Sequence, residues 1–210
     1  MSTFEGWPPT AFRWFEGLLA DNSKAYFSEH RRTYDEAVKG PLLALLDELE
    51  DEFGTAKVFR PNRDVRFSPD KSPYKTNAAA VVPGDMHRPG FWVEVSADGM
   101  GAGAGHHGAD RAAIEWYRAA VDDERTGTQL ERIVSELERA GLQIHGETLK
   151  SAPRGVARDH PRIRLLRHTS FIAVRREPVG PVPLSRAALD WVRETWRTCT
   201  PLVTWLHDNV

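Results

Sequence analysis

Apolar positions three and four residues apart open the chain. Phe12, Phe15, Leu18 and Leu19 follow Pro8-Pro9-Thr10, a pattern that predicts a helix started by proline and stopped near Asp21-Asn22-Ser23. Those three residues are N-cap candidates for a second helix, which carries Tyr26, Phe27, His30, Tyr34 and Val38 and is expected to end at Gly40-Pro41. A third helix follows with Leu42, Leu45, Leu46, Leu49 and Phe53, closed by Gly54. From Lys57 the period changes to alternation, with Phe59, Val65 and Phe67 on one side, then Ala79 to Val82, then Phe91-Trp92-Val93-Glu94-Val95. Asp98-Gly99 signals a hairpin, and Met100 to Gly105 reads as a return strand small enough for close packing.

Helical spacing returns over Arg111 to Val121 and Thr128 to Ala140, and a loop rich in Pro, Gly and Arg covers Ser151 to Arg158. His160-Pro161 starts a short helix through Leu165-Leu166, and Phe171 to Val174 forms a strand. Leu184 to Leu206 forms a long helix, which Pro201 is expected to kink or split. Helices at both ends around a mainly hairpin-connected sheet give an α+β class with a mainly antiparallel sheet, not alternating βαβ units. No low-complexity break divides the 210 residues, so 1–210 reads as a single domain.

Charge narrows the function classes. The net charge of −2 offers no global attraction to nucleic acid or to an anionic membrane, so any basic surface has to be local. The lone Cys199 supports neither a disulfide framework nor a thiolate metal site. The first residues lack the basic and apolar regions of a secretory leader, and no apolar run approaches a membrane span, which makes a cytoplasmic setting without a membrane partner the expectation.

One locality departs from this balance. Between Lys57 and Lys75 the chain sets Lys57, Arg60, Arg63, Arg66, Lys71 and Lys75 against Asp64 and Asp70, a net charge of +4. As a strand, Asn62 to Phe67 would put Arg63 on the apolar side. A guanidinium there needs a carboxylate, for which Asp35, Glu94 or Asp159 are candidates. Asp64, beside so many cations, is a weak base and is better suited to orient an arginine or hold a cation. Arg60, Arg66, Lys71 and Lys75 have the chemistry of a phosphate or carboxylate cradle, guanidinium forks matching the oxyanion and ammonium groups adding point charge. Tyr74 could add a hydroxyl. Lys71 among other cations is a candidate for a lowered pKa and a nucleophilic role, which nothing in the sequence requires.

The pattern Arg60-x-x-Arg63-Asp64-x-Arg66-Phe67-x-x-Asp70-Lys71-x-x-Tyr74 resembles the defining motif of the conserved-hypothetical DUF2461 family. The likeness extends over nearly the whole chain, through Asp21-Asn22, Tyr26-Phe27, Tyr34, the glycine-rich segment ending near Gly105, Arg118, and Asp159-His160-Pro161 before Leu165-Leu166. Asp21-Asn22 stands where such proteins often show paired Asn, which leaves the expected capping role intact. The resemblance implies no activity, cofactor or catalytic residue.

Competing motifs are weaker. Gly103-Ala-Gly105-His-His-Gly108 satisfies a dinucleotide fingerprint in spacing but lacks the surrounding βα units. His87, His106, His107, His145, His160 and His168 show no metal-binding spacing, so no metal site is assigned. His160 and Arg164 fall one helical turn apart and could face the cluster together. Trp191, Trp196 and Trp205 suit core packing, while Trp92 could stand exposed beside a ligand. The leading expectation is a pocket of Arg60, Arg63, Asp64, Arg66, Lys71, Tyr74, Lys75 and His160 that binds a small anionic ligand, extending to an enzyme on a phosphorylated metabolite or nucleotide. A non-catalytic domain with an internal Arg-Asp network is the rival, and a nucleic-acid-binding module ranks third.

Overall fold

The computed structural model describes residues 3–66, 70–83, 88–106 and 110–210; Phe67, His87, His107 and Gly108 lie outside them. The elements run α1 (Pro9–Ala20), α2 (Lys24–Glu29), α3 (Arg31–Thr33), a π-helical segment (Tyr34–Lys39), α4 (Gly40–Asp47), α5 (Glu50–Phe53), β1 (Lys57–Val58), β2 (Asn77–Val82), β3 (Gly90–Ser96), β4 (Gly99–His106), α6 (Arg111–Asp122), α7 (Glu124–Arg139), β5 (Gln143–His145), α8 (Ile163–Leu166), β6 (Phe171–Pro178) and α9 (Ala187–Asn209). The strands form one six-stranded sheet in the order β1-β2-β3-β4-β6-β5, antiparallel at both edges. The class is therefore α+β, with helices before and after the strands. Residue contacts divide the chain into two compact units, one of residues 1–84, 92–102 and 176–194, the other of 85–91, 103–175 and 195–210.

In the first unit the helical face of α1 buries Phe12, Trp14, Phe15 and Leu18, as the spacing requires. Trp14 is the hub: its ring lies 5.6 Å from Phe27 and 5.0 Å from Tyr34, both buried. Gly40-Pro41 does not end the second helix. The turn before it widens into a π segment, the Gly40 N–H bonds the Asp35 carbonyl, and Pro41 enters the first turn of α4, where a missing N–H costs no helical bond. Strands β2 and β3 alternate strictly, with Ala78, Ala80, Val82, Val93 and Val95 buried between half-buried neighbours.

The second unit is built on the α6-α7 pair. Asp110 caps α6 by accepting from the Ala113 N–H at 2.9 Å, and Asp123 caps α7 by accepting from the Arg125 and Thr126 N–H groups. This cap starts α7 at Glu124, earlier than its apolar residues indicate. Leu130, Val134 and Leu137 are buried along α7. Trp196 and Trp205 are core residues, the latter donating its indole N–H to the Thr126 carbonyl at 3.0 Å. Pro201 sits inside α9 without splitting it. The glycine run expected as a strand is β4 throughout, so Gly103 and Gly105 do not form a turn before a helix. At Gly105 (φ 154°) a Cβ would collide with the Phe171 carbonyl oxygen, so glycine is required by the approach of the neighbouring strand's backbone and not by a nucleotide.

Candidate functional site

The cationic segment is a hairpin in the first unit. Lys57 and Val58 pair with Val81 and Ala80; beyond them the Phe59 N–H bonds the Ala79 carbonyl at 2.9 Å, Asn62 bridges Tyr74, and the Arg63 and Lys75 N–H groups reach the Pro73 and Pro61 carbonyls at 2.9 and 2.8 Å. Between the Val58-Ala80 and Asn62-Tyr74 pairs the second arm carries two more residues than the first, an irregularity beside Lys75 and Thr76. Residues 63–66 are not strand, so the expected split of Arg63 and Asp64 onto opposite faces does not arise.

Tyr74 anchors the hairpin. Its ring stacks on Phe27 with centroids 4.1 Å apart, and its backbone is clamped by one side chain: Asn22 Nδ2 donates to the Tyr74 carbonyl and Asn22 Oδ1 accepts from the Tyr74 N–H, both at 3.1 Å. The carboxamide copies the donor-acceptor pair of a neighbouring strand. Helix capping falls instead to Ser23, whose hydroxyl accepts from the Tyr26 N–H at 3.1 Å, so the capping role expected of Asn22 is corrected to a clamp. Asn22→Ala is expected to cost about 1–3 kcal/mol, because two backbone groups lose their partner; urea unfolding, with faster hydrogen exchange at the Tyr74 amide, checks it.

The cations divide into two groups. Arg63 pairs with Asp70, not with Asp35, Glu94 or Asp159, and Asp70 also accepts from the Ser72 N–H at 2.9 Å. Asp35 is taken by Arg31, and Glu94 by Arg176 and Asn77. Arg66 lays its fork on Asp64, with Nε and Nη2 to the two oxygens at 3.0 and 2.7 Å. Hydrogen bonds from that guanidinium and from the Arg66 N–H hold the Asp64 carboxyl down at about 2, so it stays ionised and orients its arginine. The pair is solvent-exposed.

Arg60, Lys71 and Lys75 form the second group and make no ion pair among the described residues. Lys71 donates to the Val65 carbonyl at 2.9 Å. Lys75 is half-buried, its ammonium 4.7 Å from the centroid of the Phe59 ring. Burial first, and the positive charge of Arg60 second, depress its pKa. The sequence reading named Lys75 for the cradle and looked to Lys71 for a lowered pKa. His160 belongs to the second unit, where its Nε2 lies 3.1 Å from an Asp122 oxygen.

That unit holds an arginine network that sequence reasoning missed. Arg162 is 6% exposed and donates to Glu131 at 3.0 Å, Glu124 at 2.8 Å and the Thr128 hydroxyl at 2.9 Å. Those partners stand at i, i+4 and i+7 on α7, one polar stripe that could have signalled a cation. Arg118, half-buried, donates to the Leu166 carbonyl at 3.2 Å. Trp92 is half-buried, its ring edge and the Glu94 side chain lying close over Gly101. Among the described residues no three His, Cys, Asp or Glu side chains gather in a metal-binding group.

The family model described as "Conserved hypothetical protein (DUF2461)" matches residues 10–205. The chain belongs to this family. The match takes in the hairpin, the Asn22 clamp and the Arg162 network together. No curated protein matches the chain. Among the described residues no helix is long and apolar enough to cross a membrane. DUF2461 membership shows the family and leaves function to be argued from the site.

Proposed function

We propose that the hairpin of residues 57–75 binds a small phosphate- or carboxylate-bearing ligand through Arg60, Lys71 and Lys75. One observation carries this reading: Arg63 and Arg66 each hold a carboxylate of the same hairpin, whereas Arg60, Lys71 and Lys75, like Lys57, hold none among the described residues. The Arg60 and Lys75 charges repel one another, and an anion would turn that repulsion into attraction. Arg63 and Arg66, already neutralised by Asp70 and Asp64, give the hairpin its shape; the Asn22 clamp fixes Tyr74 beside Lys75. Tyr74 is buried against Phe27 and belongs to this scaffold more than to the ligand. A cytoplasmic setting goes with the reading, in keeping with Cys199, which is buried and whose thiol burial pushes up to about 12.

Pyrophosphate tests the proposal. Added at low ionic strength, where an exposed site is least screened, it is expected to raise the unfolding temperature of the wild-type chain, and the rise is expected to vanish in Arg60→Gln, Lys75→Gln. An equal rise in the double variant, or none in the wild type, overturns it.

A further inference from the structure

Lys75 is set apart from the other lysines by what its nitrogen lacks. Of the six lysines in the chain, Lys24, Lys57, Lys71 and Lys150 are exposed, whereas Lys39 and Lys75 are half-buried. Lys75 alone of those two lies over an aromatic ring, its nitrogen 4.7 Å from the Phe59 centroid. Among the described residues that nitrogen makes no hydrogen bond and no ion pair. Burial strips water from a charge, and here no carboxylate or carbonyl replaces it. The ring attracts the ammonium but leaves its N–H groups uncommitted. Burial first, and repulsion from Arg60 second, therefore favour the neutral amine. A neutral amine carries a lone pair and is a nucleophile.

The backbone that carries this amine is fixed. The Lys75 N–H donates to the Pro61 carbonyl at 2.8 Å, and the preceding Tyr74 is clamped by Asn22 and stacked on Phe27. The amine is thus held beside Arg60 without being used up by the fold.

We propose that Lys75 condenses with a small aldehyde or ketone that also bears a phosphate or carboxylate, forming an imine on the hairpin. This rests on the anion site described above and narrows its ligand to a carbonyl compound. Arg60 takes the anion, and the neutral Lys75 nitrogen attacks the carbonyl carbon. A C=N bond replaces C=O, and the oxygen leaves as water with both amine hydrogens, so no oxidant or reductant is needed.

Pyridoxal 5′-phosphate, used as a reagent, and pyridoxal, which lacks the phosphate, are the probes. The full chain is treated with each, reduced with borohydride to fix any imine, and mapped by peptide mass spectrometry. Pyridoxal 5′-phosphate is expected to label Lys75 about tenfold faster than any exposed lysine, and about tenfold faster than pyridoxal does. Pyrophosphate is expected to protect Lys75. Lys75→Arg, which keeps the charge, is expected to leave only slow labelling of the other lysines. Labelling of Lys75 no faster than of the exposed lysines overturns the imine; if pyrophosphate still raises the unfolding temperature, the anion site stands without it. Equal labelling by the two aldehydes, with no thermal shift from pyrophosphate, overturns both.

Discussion

Arg162→Met is expected to lower the unfolding free energy by about 2 kcal/mol, since the side chain loses charge-assisted hydrogen bonds while keeping most of its apolar packing. The cost stays below the larger penalty of stranding a buried charge because the residues left behind are not sealed: the side chains of Glu124 and Glu131 are 89% and 45% exposed and rehydrate. Removing both acids, in Glu124→Ala, Glu131→Ala, is expected to cost more than removing the arginine. That change leaves a guanidinium, 6% exposed, with only the Thr128 hydroxyl and a distant Asp122 carbonyl. Urea unfolding of the two variants checks the order, and Arg162→Met as the weaker of the two would show that Arg162, and not its acids, is the buried partner.

Gly105→Ala is expected to cost about 3 kcal/mol or more. The new methyl would stand against the Phe171 carbonyl oxygen and the Ile172 backbone, groups that cannot rotate away, at a φ that residues with a Cβ rarely adopt. Relief requires β4 and β6 to separate locally, and equilibrium unfolding together with loss of amide protection around Phe171 measures it. Gly141→Ala is the internal comparison, because its φ is positive but a Cβ there meets nothing within 4 Å. The difference between the two isolates the collision from the backbone preference.

Much of the fold is legible in the chain because its elements are amphipathic in a simple way. The stripe of Phe12, Phe15 and Leu18 and the alternation through Phe91, Val93 and Val95 state which faces are buried before any contact is known. What stays illegible depends on pairing between distant segments. A π turn before Pro41 cannot be read from a proline that normally stops helices. Asn22 looks like a cap because caps are local, whereas its true partner, Tyr74, is brought to it by the hairpin. Arg63 was short of a visible partner only under a strand reading; with Asn62 paired to Tyr74, Asp70 comes within reach of it. The density of cations from Arg60 to Lys75 was plain in the sequence, but which of them are neutralised internally is decided by that pairing.

The sharpest test follows the Lys75 ammonium through its own titration by ¹⁵N-detected NMR, with and without saturating pyrophosphate. In the free protein the midpoint is expected below the ordinary 10.5, because the group is half-buried beside Arg60. A bound anion favours the charged form, so the midpoint is expected to move upward with pyrophosphate, and binding correspondingly to weaken as pH rises through it. A midpoint unmoved by pyrophosphate would contradict an anion site on this hairpin.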